Sequence, residues 1–61
     1  MSDNTKILNA ITESVQSLTK LRDAIGKRRG VSDEHRIKEF EVTASIATLR
    51  QWYEALADED A

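Results

Sequence analysis

The chain has 61 residues, one histidine, no cysteine, no proline and a net charge of −2. A domain of this length buries only about 60% of the surface its unfolded chain exposes. Lacking cysteine, it has neither a disulfide nor a thiolate metal site to compensate, which leaves oligomerisation or a dense helical core. No apolar run approaches the roughly 18 residues of a membrane span. The polar start Met1-Ser2-Asp3-Asn4-Thr5 lacks the basic-then-apolar layout of a signal peptide. The expectation is a cytoplasmic protein with no membrane partner.

Ser2 to Thr5 offer capping side chains for a first helix. Beyond them Ile7, Leu8, Ile11, Val15, Leu18, Leu21 and Ile25 fall within a sector of roughly 140° on a helical wheel. The spacing predicts a helix over 5–29, closed by Gly26 or Gly30 as its C-terminal cap. Residues 30–32 form the turn. Ser32 is a good N-cap, Asp33 and Glu34 suit a first helical turn, and Val31 stands where an apolar residue can staple onto the next helix. The second helix is expected over 33–57, with 58–61 as a frayed acidic tail. A short connection between two long helices implies an antiparallel hairpin.

The second helix carries two apolar faces. Ile37, Phe40, Ala44, Ala47 and Ala55 cluster on one side; Val42, Ile46, Leu49, Tyr53 and Leu56 cluster on the other, with Trp52 at its edge. The first helix has one stripe and covers one face. The residues leave open which face that is, but either choice leaves the other for a second copy or a protein partner.

A competing reading makes Arg28 to Val42 a β-hairpin between two helices, because Phe40-Glu41-Val42-Thr43 has strand-like composition and Ser45 can cap a shorter final helix. The turn it needs, Asp33-Glu34-His35, lacks the glycine that tight hairpins favour. The stretch VTASIATLRQWYEALA, together with LRDAIGKRR, resembles the final helix and the end of the first helix in the lambda-type head–tail joining protein W family. The resemblance implies a helix, β-hairpin, helix fold and a non-enzymatic phage part seated in a ring between portal and tail, hence a virion location. This chain departs from that family in lacking its glycine-containing hairpin turn. SDEHRIKEFE is similar to the helical-hairpin chaperones of type III secretion, at a level shared by many amphipathic hairpins.

Charge is unevenly placed. Residues 20–38 carry seven basic side chains against three acidic ones, +4, whereas 39–61 carry Arg50 against six acids, −5. Lys27, Arg28, Arg29, Arg36 and Lys38 gather at the bend and are the candidate nucleic-acid contacts. They include no aromatic residue, and a solvated turn is the plainer reading. His35 has no thiol or carboxylate at ligand spacing. Glu39 and Glu41, two apart on a helix, face different directions. No catalytic, cofactor or metal set can be assembled.

The residues therefore predict an all-α antiparallel helical hairpin, most simply a four-helix-bundle dimer, with the mixed α+β fold as the alternative. The expected function is a non-enzymatic interaction module (assembly factor, adaptor or small inhibitor) that self-associates and presents a helical surface to a protein partner. Val42, Ile46, Leu49, Trp52, Tyr53 and Leu56 are its expected interface. Small nucleic-acid-binding regulator is the rival reading.

Overall fold

A proline-free chain with apolar residues every three or four positions satisfies its backbone groups locally and leaves one stripe per helix to bury. The computed structural model describes residues 4–28, 30 and 32–60. They form α1 (Thr5–Gly26) and α2 (Asp33–Asp60), with no strand among the described residues. The helices lie side by side as a hairpin. Glu39 sits against Gly26 near the turn, and Tyr53 shares a groove with Ile11 further along, so the two run antiparallel. Ser2, Arg29 and Val31, with the cap, the cationic contact and the staple expected of them, lie outside the described residues.

α1 begins after Asn4, whose carbonyl accepts the Leu8 N–H at 2.8 Å. It ends at Gly26 rather than Arg29, and without a left-handed glycine: neither described glycine has positive φ. Lys27, at φ −68° and ψ −18°, continues right-handed. Its N–H donates to Asp23 O at 3.2 Å, and the Arg28 N–H donates to Ile25 O at 2.9 Å. The last turn thus tightens onto its own carbonyls, which removes the need for a glycine cap.

α2 starts where the residues around Ser32 predict. Ser32 Oγ accepts the His35 N–H at 3.3 Å and lies 2.5 Å from His35 Nδ1, so cap and third helical residue engage each other through two contacts. The helix then runs without interruption through the segment that has strand-like composition. Thr43 Oγ1 donates to Glu39 O at 2.9 Å and Ser45 Oγ to Glu41 O at 3.1 Å. These hydroxyls are satisfied by the preceding turn, so neither residue has to leave the helix. The far end differs from the expected frayed tail as well, since α2 stays helical to Asp60. Leu56 is buried and Ala57 half-buried, so packing reaches into the final turns.

The core is a single seam. Ile11, Ile46 and Leu56 are buried, Ile11 and Ile46 to 4% and 3% exposure. Leu8, Val15, Leu18 and Ile25 of α1 and Val42 and Leu49 of α2 flank them half-buried. The choice between the two faces of α2 is settled by size. Isoleucine, leucine and valine supply knobs that fill the space between helices 8–10 Å apart, whereas the alanines of the other face do not. The result is a rod. Its Cα atoms extend 49 × 14 × 11 Å with a radius of gyration of 14.3 Å, against about 10.5 Å for a compact domain of this length.

Replacing Ile46 by alanine removes the most buried side chain and is expected to lower stability by about 2–5 kcal/mol. Phe40→Ala, at an exposed position, should change it by less than about 0.5 kcal/mol. Urea titration followed by circular dichroism checks both, and equal effects would mean the seam is misplaced. A second prediction concerns the turn. A Cβ on Gly26 would lie 2.6 Å from Glu39 Oε2, the terminal atom of a flexible side chain that can swing aside. With right-handed backbone already in place, Gly26→Ala should raise stability by about 0.4–1 kcal/mol, read as a higher melting temperature.

Candidate protein-interaction surface

Which apolar side chains remain in water follows from the seam. On α2 the residues near 180° from Ile46 are Ile37, Ala44 and Ala55, with Phe40 and Ala47 on their flank. All five are exposed; Phe40 keeps 76% of its surface and Ile37 58%. Phe40 and Ile37 sit in a shallow hollow bordered by Asp33, Arg36 and Glu41. Around them Arg36 Nη1 lies 4.0 Å from Asp33 and Lys38 Nζ 3.2 Å from Glu41. The hollow is thus an aromatic knob inside a rim of exposed, mutually neutralised charges.

The six residues expected as an interface divide between two places. Val42, Ile46, Leu49 and Leu56 are turned toward α1, so within one chain they form the seam rather than an open surface. Their spacing marked them as a buried face but not what would bury it. Trp52 and Tyr53 lie on the borders of the seam and stay 49% and 39% exposed. They point to different sides, as adjacent helical residues must. Tyr53 shares a groove with Ile11, Thr12, Val15, Gln16, Arg50 and Glu54, so its ring has apolar neighbours as well as polar ones.

The first helix supplies two further exposed residues that the sequence placed in its packing stripe. Ile7 is 39% and Leu21 48% exposed. For Leu21, at the edge of the stripe, the 140° width is the missed signal, because one neighbouring helix cannot cover so broad a sector. Ile7 lies inside the sector, at the angle of the half-buried Ile25, and its exposure goes with its place near the helix start. Ala10, Ser14 and Ser17 lie on the same border and line a groove with Glu13, Leu18 and Leu49. This side of the hairpin is apolar or small apart from Glu13, whereas on the other side Gln16, Arg50 and Glu54 border a groove that also contains Ile11 and Val15.

Extended shape and exposed side chains appear together in the surface area. The chain exposes 4860 Å², where a compact monomer of 6.9 kDa exposes about 4000 Å². The excess, roughly 900 Å², is close to the ~800 Å² that each partner contributes to a stable protein interface.

The basic bend is less concentrated in space than in sequence. Lys27 and Arg28 are exposed, but Arg36 and Lys38 are each engaged by a carboxylate of their own helix. Asp33, Glu34, Glu39 and Glu41 interleave with these cations along α2. Among the described residues no group of His, Asp and Glu is placed to hold a metal ion, and no helix is long and apolar enough to cross a membrane. Every buried polar side-chain atom among them has a partner. The chain matches no protein-family model, no curated protein and no solved structure.

Proposed function

We propose that this chain is a non-enzymatic interaction module: a helical hairpin that self-associates and offers a helix face to a protein partner. The observation that carries the reading is the surplus of apolar surface on a rod with one thin seam. Ile7, Leu21, Ile37, Phe40 and Trp52 all stay in water, although full burial of such side chains contributes about 1.5–3 kcal/mol each. The mechanism is burial of helix surface, with Trp52 and Phe40 as aromatic anchors of the kind that dominate interfaces. The resemblance of 42–57 to phage joining proteins implies an assembly part in a ring, although the β-hairpin of that family is absent among the described residues.

The first test is absolute mass by light scattering on a size-exclusion column, at several concentrations and two salt levels. A dimer or larger species is expected. A monomer that persists at the highest concentration would remove the self-association half of the proposal.

Nucleic-acid binding through the bend is the competing reading, favoured by its charge and opposed by the carboxylates among its cations. Fluorescence anisotropy with a labelled duplex at physiological salt should give a dissociation constant no tighter than the non-specific range of about 10⁻⁴–10⁻⁶ M. Tighter binding, lost on Arg28→Glu, would overturn the protein-interaction reading in favour of this one.

A further inference from the structure

Beside the seam α1 carries an exposed stripe, and α2 carries positions of the same period and the same centre. On α1 they are Ile7, Ala10, Ser14, Ser17 and Leu21, all exposed; on α2 they are Val42, Ser45, Leu49, Trp52 and Leu56, of which Ser45 and Trp52 are exposed while Val42, Leu49 and Leu56 turn into the seam. Both follow the alternating three- and four-residue steps of a heptad, the spacing at which helices pack knobs into holes. No position in either stripe is charged. The helical wheel puts both on one side of the hairpin, and the groove shared by Ala10, Ser14, Ser17 and Leu49 places their midpoints, Ser14 and Leu49, together.

That coincidence makes the face complementary to itself when turned end over end. A two-fold axis at the level of Ser14 and Leu49 brings Ile7 to Leu21 of a second copy. It also brings the bulky Trp52 opposite the small Ser45, while Ala10, Ser14 and Ser17 let the two α1 helices approach closely. Charge selects the same orientation. The turn end belongs to the basic 20–38 segment, and the other end carries Glu54, Asp58 and Glu59. End-over-end pairing sets Lys38 near the acidic end of the second copy, whereas pairing with both turns together sets two +4 segments side by side.

We infer that a second copy of this chain covers this face in an antiparallel, two-fold arrangement, giving a four-helix bundle whose two basic turns lie at opposite ends. The inference rests on the self-association proposed above and adds the face and the orientation. It leaves Ile37 and Phe40, on the opposite side of α2, open in both copies.

The experiment uses the full chain in three forms. Ala10→Glu with Ser17→Glu puts four carboxylates at the centre of the contact without touching the seam. It should convert the dimer to a monomer with unchanged helical circular dichroism, raising the dissociation constant by at least about 100-fold. Phe40→Glu should leave the dimer mass unchanged. A spin label on Lys27→Cys, the only cysteine in that variant, should report an inter-copy distance of about 40 Å by the helical rise. Parallel pairing would give less than about 20 Å. A dimer that survives the double glutamate variant, or shows the short distance, overturns this face or this orientation while self-association stands. A monomeric wild type overturns both. Should the double variant lose its helicity, the Lys27 distance in the otherwise native chain decides alone.

Discussion

Two helices can share only one seam, and that limit governs the rest of the molecule. A helix in a larger bundle is covered on two or three sides. Here each helix has one neighbour, so any apolar residue more than about a quarter turn from the line of contact stays wet. Ile11, Ile46 and Leu56 lie on that line and are buried. Leu21 and Trp52 lie just off it, and Ile37 and Phe40 on the far side. Their exposure is therefore a property of the architecture and not of individual side chains, which is why no rotamer change within one chain could hide them.

The same limit explains how local contacts support the fold. With so little buried area, capping and backbone satisfaction count for more than they would in a larger domain. Ser32 holds the start of α2 through the His35 N–H. The end of α1 closes onto Asp23 and Ile25. Exposed pairs such as Lys38 with Glu41 contribute little by comparison.

Much of this is legible in the residues, because the signals that specify it are local. The absence of proline, the stripe from Ile7 to Ile25 and the Ser32 cap together imply an antiparallel hairpin. The ends of the helices are less legible. A glycine after a basic helix end reads as a left-handed cap, yet Lys27 and Arg28 reach carbonyls without one. Acidic residues at a helix C-terminus oppose its dipole and read as a frayed tail, yet Leu56 is buried, Ala57 is half-buried and the helix continues to Asp60. The choice between the faces of α2 needed a third dimension. Both faces have helical periodicity, and only the volume available beside α1 separates isoleucine and leucine from alanine.

The exposed apolar surface falls into two chemically different parts, and the difference bears on how each would be used. The stripe beside the seam is long and uncharged at its exposed positions, Ile7, Ala10, Ser14, Ser17, Leu21, Ser45 and Trp52. Its polar groups are three serine hydroxyls and the Trp52 indole N–H, of which Ser45 already donates to Glu41 O, so it is suited to burial against a surface that leaves these few groups partnered. The Ile37–Phe40 hollow is short and ringed by Asp33, Arg36 and Glu41. A small aromatic anchor inside a charged rim gains its energy from one or two side chains, while the rim excludes water and disfavours partners of the wrong charge. That layout fits an exchangeable contact better than a permanent one. The two surfaces lie on different sides of α2, so occupation of the first does not block the second, and a chain of two helices can combine assembly with recognition without adding a third element.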